Sequence, residues 1–213
     1  MYKESFNIIM VEILLLILTV FGWGILTRIE LLVSASIFAV MIFFTIYFFR
    51  DPERNIPERD DVVLAPADGR VIRIHDVSHF SLSEASAKIV TIYLSLWDVH
   101  INRVPVSGRV TYLNHSPGCF HPAFDNRSAT RNENTMIGIS GAMGKIFLKQ
   151  IAGMIARRIV CRLQMGDQVI RGQRFGMIKF GSRVEMVLPQ SVSIKVSVGD
   201  RVKGGESIIA EKI

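Results

Sequence analysis

The sequence has 213 residues, 49% hydrophobic and 21% charged, which excludes a disordered chain and a long coiled coil. The six charged side chains of residues 1–50 sum to zero, so the formal net charge of +6 belongs to residues 51–213. An apolar beginning followed by a basic remainder indicates a membrane anchor and a domain that works at an anionic surface. Nucleic acid is the other class of partner that a basic domain can bind.

Two apolar stretches predict a membrane anchor. Residues 31–49 contain no charged side chain, and at 1.5 Å per residue they cover about 28 Å, close to the thickness of a bilayer core. Residues 13–27 are also uncharged, and we interpret them as a second span with Glu12 at the head-group layer. The short link between the two stretches predicts a transmembrane hairpin over residues 1–50.

The flanking charges predict the orientation of this hairpin. Three arginines follow the second stretch, namely Arg50, Arg54 and Arg59. The positive-inside rule therefore puts the following domain on the cytoplasmic face of the cell membrane. A cleaved signal peptide is the alternative, but the chain has no basic start and no small-residue cleavage site.

Residues 51–213 predict a mainly β domain. Short runs of apolar and β-branched residues are separated by Gly, Pro, Asn and Asp, and helical periodicity is nearly absent. The predicted strands cover 71–74, 87–94, 108–113, 135–140, 146–152, 158–164, 174–180, 184–187, 193–196 and 207–211.

Two sequence frames are repeated within this domain. Residues 166–173 and 199–206 share G-D-x-V-x-x-G, and residues 66–71 and 105–110 share P-x-x-G-R-V. Each frame is typical of a tight turn that leads into a strand, so four such corners predict pseudo-twofold packing of related hairpins. The pattern resembles the barrel-sandwich fold of lipoyl and biotinyl carriers, which describes an architecture and not an activity.

Three residue types needed to activate a hydroxyl are present. Ser182 follows Gly181 between two predicted strands, which on its own is typical of a simple bend. His100 ends a β run among polar neighbours, and Asp68 lies in the first repeated corner. A histidine base oriented by a carboxylate is the usual means of deprotonating a serine.

Four motifs in this order resemble the phosphatidylserine decarboxylase family in its short, membrane-anchored form. They are residues 66–71, residues 97–105, residues 117–124 with 132–134, and Phe180-Gly181-Ser182. The resemblance runs from about Asp51 to the C-terminus. It implies decarboxylation of phosphatidylserine to phosphatidylethanolamine and CO2, through a Schiff base between the lipid amine and a pyruvoyl group derived from Ser182. No external cofactor is then needed.

The pyruvoyl group implies a specific self-processing reaction. Attack of Ser182 Oγ on the Gly181 carbonyl converts the amide to an ester, and loss of the Ser182 Cα proton expels the Gly181 carboxylate and leaves dehydroalanine. Hydrolysis then gives the pyruvoyl group and ammonia. The implied partners are the anionic phospholipid, the membrane, and the large (1–181) and small (182–213) chains of one precursor, with homo-oligomerisation left open and no nucleic acid.

The sequence departs from the family at two positions. The second histidine of many members is Arg103 here, and the small hydroxyl residue after the reactive serine is Arg183. His100 would then serve both self-cleavage and protonation of the product, unless His121 takes the second role. Arg103 is suited to bind the lipid phosphate or carboxylate, or else it pairs with Asp98 to hold the loop that bears His100.

Two other classes of protein are weighed against this interpretation. A membrane-anchored lipoyl-like binding module without catalysis would carry a modifiable lysine at a hairpin tip, and neither G-D-x-V corner follows one. A zinc peptidase would need convergent ligands such as a His-x-His pair, which the sequence lacks, so we predict no metal. The lipid backbone, ester or ether, and the range of accepted head groups stay open.

Overall fold

The computed structural model describes residues 3–21, 28–82, 85–119, 121, 131–153, 159–178 and 182–213. They fall into two compact units, Met1–Pro52 and Glu53–Ile213. The first contains helices α1 (Lys3–Phe21) and α2 (Arg28–Phe48). The strands of the second are β1 (Val62–Leu64), β2 (Gly69–Phe80), β3 (Ala85–Leu94), β4 (Ile101–Arg103), β5 (Gly108–Ser116), β6 (Asn134–Gly141), β7 (Gly144–Ala152), β8 (Ile159–Cys161), β9 (Gln168–Val169), β10 (Arg174–Ile178), β11 (Ser182–Pro189), β12 (Val192–Ile194), β13 (Arg201–Val202) and β14 (Ile208–Lys212).

The helical unit contains a helix in each predicted stretch; α1 begins earlier than residue 13, and residues 22–27 of the stretch 13–27 lie outside the described residues. Glu12 lies inside α1, is 6% exposed, and accepts a hydrogen bond of 2.8 Å from the Thr45 hydroxyl of α2. This bond lowers the cost of a carboxylate within an apolar helix, which is why the helix does not start after Glu12. Among the described residues, α2 is the helix long and apolar enough to cross a membrane, and a second crossing stays a prediction.

The β unit is built on an eight-stranded antiparallel sheet in the order β13-β2-β3-β11-β7-β6-β5-β9, which curls into a half-barrel. Two three-stranded sheets, β1-β14-β12 and β4-β10-β8, complete it. Alternate residues of the central strands face the main core, for example Ile92 and its register partner Val184, both fully buried. The predicted mainly β architecture is confirmed.

The two G-D-x-V corners pair with the two P-x-x-G-R-V corners, and both pairs form the same backbone hydrogen bonds. Each G-D-x-V corner lies against a P-x-x-G-R-V corner through β9–β5 or β13–β2 pairing. The backbone bonds are Val110 N–H to Asp167 O (2.9 Å) and Gly166 N–H to Val110 O (2.9 Å) in one pair, and Val71 N–H to Asp200 O (2.9 Å) and Gly199 N–H to Val71 O (2.8 Å) in the other. Gly166 and Gly199 both have positive φ, 90° and 104°, which glycine adopts without strain.

Each predicted strand has a counterpart in the structure, with different ends. The strand predicted over 158–164 is reduced to β8, and part of the one predicted over 174–180 lies outside the described residues. The sequence did not predict β1, β4, β9 and β13, which are only two or three residues long. Such short strands show too little alternation to be recognised, because their pairing partners and not their own pattern make them strands.

Candidate active site

Ser182 is the first residue of β11, the strand between β3 and β7. Its register partners are Leu94 on β3 and Ala152 on β7. The side chain is fully buried, and its Oγ has no hydrogen-bond partner among the described residues. A buried polar group left unsatisfied costs about 1–3 kcal/mol, which makes this hydroxyl a candidate functional group. Gly181 lies outside the described residues.

His100 is also fully buried, and its tautomer follows from one contact. The ring Nδ1 is 2.9 Å from the Asp98 carbonyl oxygen. A carbonyl only accepts hydrogen bonds, so Nδ1 carries the proton and Nε2 keeps the lone pair of a base. The imidazole is therefore oriented by a backbone oxygen.

The loop 95–100 brings His100 to the neighbourhood of Ser182. The loop starts directly after Leu94, the register partner of Ser182, and ends where the His100 carbonyl accepts a 3.4 Å bond from Ile178 N–H. Ile178 is the last residue of β10, four positions before Ser182. The loop that bears His100 is therefore paired with Ser182 at its start, through Leu94, and with Ile178 at its end.

Asp98 closes the loop on itself. Its carboxylate accepts hydrogen bonds from the backbone N–H of Ser95 at 2.8 Å and from the Ser95 hydroxyl at 2.6 Å. The predicted alternative in which Arg103 pairs with Asp98 stays a prediction. Arg103 is 5% exposed and donates to the Gly172 carbonyl at 3.0 Å. A lipid-binding role for Arg103 stays a prediction.

Asp68 is bound by partners outside the His100 loop. Its two carboxylate oxygens accept bonds of 2.9 and 2.8 Å from one nitrogen of Arg54, and the Gly204 N–H donates to it at 2.8 Å. The described bonds of Asp68 are therefore with Arg54 and Gly204, and its predicted role toward His100 stays a prediction. In the sequence, Arg54 is only a signal of membrane orientation, and its pairing with Asp68 was not predicted.

His121 is connected to the site through Asn132. The Asn132 amide nitrogen donates to the carbonyls of His121 and Ala152, each at 2.7 Å, and its oxygen accepts from the His121 N–H at 2.8 Å. Asn132 is 1% exposed, and Ala152 is the register partner of Ser182. Asn132 belongs to one of the four motifs, but its function as the link between His121 and β7 was not predicted.

Two further buried amides, Asn102 and Gln150, lie near Ser182. Gln150 Nε2 donates to Asn102 Oδ1 at 2.7 Å, and both residues are fully buried. Neither residue was predicted from the sequence. The available signals were a glutamine within an apolar β run and an asparagine two positions after His100.

Arg183 lies on the opposite side of the sheet from Ser182, because successive residues of a strand face opposite ways. Its guanidinium forms an ion pair of 2.9 Å with Glu185, and the side chain is 5% exposed. Lys149 is the register partner of Glu185 on β7, and burial lowers the pKa of Lys149. The departure from the family pattern at Arg183 therefore affects the outer face of β11 and leaves the core-facing side as it is.

A cavity of about 300 Å³ is lined by Leu113, His115, Thr135, Ile159, Cys161 and Leu163. Thr135 is the register partner of Gln150, so one lining residue is a direct neighbour of Gln150 in the sheet. Burial raises the pKa of the Cys161 thiol, which keeps it protonated at neutral pH. The cavity thus has an uncharged cysteine and mostly apolar walls.

Comparison with known proteins gives consistent matches. A sequence model of the phosphatidylserine decarboxylase family matches residues 41–210. Three similar proteins are each named phosphatidylserine decarboxylase proenzyme. That of Chlorobium limicola is 48% identical over 182 residues (84% of this chain, 85% of the relative), that of Chlorobium phaeobacteroides 47% over 171 (80% and 80%), and that of Chlorobaculum tepidum 45% over 170 (80% and 78%).

Proposed function

This chain belongs to the phosphatidylserine decarboxylase family, and we propose that it is a self-processing, pyruvoyl-dependent enzyme that converts phosphatidylserine to phosphatidylethanolamine and CO2. The observation that carries the proposal is the position of Ser182, buried without a hydrogen-bond partner among the described residues and next to the loop that bears His100. The word proenzyme in the names of the relatives supports a precursor that is processed.

The first step of the proposal is self-cleavage between Gly181 and Ser182. His100 Nε2 accepts the proton of Ser182 Oγ, which attacks the Gly181 carbonyl and replaces the amide by an ester. Removal of the Ser182 Cα proton then expels the Gly181 carboxylate as the new end of the large chain. Water adds to the remaining dehydroalanine, ammonia leaves, and the small chain 182–213 begins with a pyruvoyl group.

The location of Ser182 fits the group that would be made from it. The pyruvoyl carbonyl supplies an electron sink through Schiff-base chemistry with the serine amine of the lipid. The buried surroundings of Ser182 keep bulk solvent away from this group. His100, oriented by the Asp98 carbonyl, donates the proton that the carbon needs after CO2 leaves once its Nε2 has been protonated, and His121 is the alternative donor.

The helical unit and the basic domain support the choice of a lipid substrate. We expect α2 to anchor the enzyme in the cell membrane, with the β unit on the cytoplasmic face. A net positive domain at an anionic bilayer surface raises the local concentration of an anionic head group.

The test is the intact mass of the full-length protein purified in detergent, together with CO2 release from carboxyl-labelled phosphatidylserine. We expect two chains, cut between residues 181 and 182, with no free α-amino group at the N-terminus of the smaller one. The Ser182→Ala variant is the matched control and should stay a single chain of 23.9 kDa without CO2 release. Full activity in a preparation of uncut wild-type chain would overturn the proposal.

A further inference from the structure

The buried pair of Asn102 and Gln150 has polar atoms that the fold does not satisfy. Beyond their mutual hydrogen bond, Asn102 Nδ2 and Gln150 Oε1 are buried and have no partner among the described residues. Reversing both amides exchanges which atoms bond, but still leaves one NH2 group and one carbonyl oxygen without a partner. The pair therefore offers one free donor and one free acceptor in either orientation.

The strand register puts this pair beside Ser182. Gln150 lies two residues before Ala152 on β7, on the same face, and Ala152 is opposite Ser182. Such diagonal neighbours have Cβ atoms about 7–8 Å apart, within reach of a glutamine side chain. Asn102 lies two residues after His100, opposite Gly176 on β10. The pair is thus next to both the proposed nucleophile and the proposed base.

The backbone around the pair leaves little free space on one side. A Cβ at Gly176 would lie 3.1 Å from Gln150 Nε2 and would also meet the Val160 carbonyl, so glycine is needed there. The 300 Å³ cavity is lined by Thr135, the register partner of Gln150, and by Cys161, the register partner of Gly176. Cavity-lining residues are therefore direct neighbours of Gln150 and Gly176 in the two sheets.

Unsatisfied buried donors and acceptors are costly, and a ligand that completes their hydrogen bonds would offset that cost. The ligand must present an acceptor and a donor a few ångströms apart, as an α-amino-acid head group does with its carboxylate and its amine. Resting on the proposed function, we propose that Asn102 and Gln150 recognise the serine head group of the lipid. Asn102 Nδ2 donates to the carboxylate, and Gln150 Oε1 accepts from the amine.

This assignment predicts different effects for two lipids. Phosphatidylserine carries both groups, whereas phosphatidylethanolamine carries the amine alone. Asn102→Leu should lower the affinity for phosphatidylserine about ten- to hundredfold and change the affinity for phosphatidylethanolamine less than about threefold, because a hydrogen bond to a charged group is lost only with the first lipid. Gln150→Met, which keeps the side-chain volume similar, should lower the affinity for both lipids to the same extent.

The experiment is equilibrium titration of full-length protein in detergent with short-chain phosphatidylserine and phosphatidylethanolamine. The mature protein is first reduced with borohydride, which converts the pyruvoyl ketone to a hydroxyl and prevents turnover during the titration. Asn114→Leu, which removes an exposed asparagine of β5, is the matched control and should leave both affinities unchanged. The cleaved fraction of every variant is measured by intact mass.

An equal loss of affinity for both lipids in Asn102→Leu would overturn the inference. If Gln150→Met, and not Asn102→Leu, lowered the affinity for phosphatidylserine selectively, the assignment of the donor to Asn102 would be overturned. If Asn102→Leu does not fold, Asn102→Asp keeps the shape and places a negative charge against the carboxylate, so it should weaken phosphatidylserine selectively. An uncut wild-type chain would contradict the proposed function itself. A cut wild-type chain with an unselective Asn102 variant would contradict this inference alone.

Discussion

One nitrogen of Arg54 bonds both carboxylate oxygens of Asp68, at 2.9 and 2.8 Å, and the two side chains are only 7% and 15% exposed. Arg54 belongs to the N-terminal arm of the β unit, which we define as residues 53–60. The same arm packs Ile56 against Gly172, and its Pro57 carbonyl accepts a 2.9 Å bond from Arg171. Asp68 therefore joins the arm to the first repeated corner.

This ion pair predicts a large loss of stability when one partner is removed. Arg54→Ala should lower the free energy of unfolding by about 3 kcal/mol, because Asp68 would keep a shielded charge without its counter-charge. Arg70→Ala, which removes an exposed arginine, should change it by less than about 0.5 kcal/mol. Thermal and denaturant unfolding of the full-length chain measure both.

We also expect Asp68→Asn and Arg54→Ala to accumulate uncut chain. Loss of cutting in Asp68→Asn alone would assign Asp68 a direct role at His100.

Ser182→Ala should abolish self-cleavage and decarboxylation together, since alanine has neither an attacking oxygen nor a precursor of the pyruvoyl group. Ser182→Cys and Ser182→Thr should be cut slowly. Ser191→Ala removes an exposed serine and should be cut like the wild type. Intact mass after timed incubation gives the rates, and cutting of Ser182→Ala at the same bond would remove Ser182 from the mechanism.

His100→Ala should slow self-cleavage by about 10²–10⁴-fold, the usual effect of losing a positioned base. His79→Ala, at an exposed histidine of β2, is the control and should be cut normally. The cleaved fraction is followed by gel electrophoresis over hours to days. Wild-type cutting in His100→Ala would transfer the role of base to His121.

The Arg103→Ala variant distinguishes a role of Arg103 in lipid binding from a role in packing. We expect a lower unfolding temperature, because the Gly172 carbonyl loses its donor and the side chain that packs against Gly205 is removed. The lipid-binding role predicted from the sequence requires, in addition, normal self-cleavage with reduced turnover well below that temperature. Arg103→Lys should recover only part of the loss, because it lacks the planar fork. Unchanged turnover in Arg103→Ala would exclude contact with the lipid.

Glu211 predicts a pH-dependent contribution to stability. Lys195 and Arg59 lower the pKa of the Glu211 carboxyl below its usual value. A carboxyl with a lowered folded-state pKa stabilises the fold above its unfolded pKa of about 4.3, and the contribution is lost as the pH falls through the folded value. Glu211→Gln should therefore unfold at a lower temperature than the wild type at pH 7, and the difference should disappear once the pH is below the lowered folded-state pKa. Glu58→Gln, at an exposed glutamate of the arm, is the control.

The features that depend on local sequence pattern could be predicted from the sequence. The alternating runs and the repeated corners predicted the main strands and their duplicated turns, and the motifs singled out Ser182 and His100. The pairing of Arg54 with Asp68 and of Asn102 with Gln150 could not be predicted in this way. Asn102 and Gln150 are 48 positions apart, and only the packing of β4 and β10 over β7 brings them together.

The central position of β11 in the sheet determines how the two chains stay together and refold after the proposed cut. β11 pairs along its length with β3, and with β7 for most of it, so the small chain 182–213 would stay bound through the middle of the sheet. Folding of the uncut precursor is unimolecular, but refolding of the cut protein needs an encounter of two chains and depends on concentration. Dilute enzyme, once denatured, should not regain its fold, so the mature state is preserved by slow unfolding and not by ready reassembly.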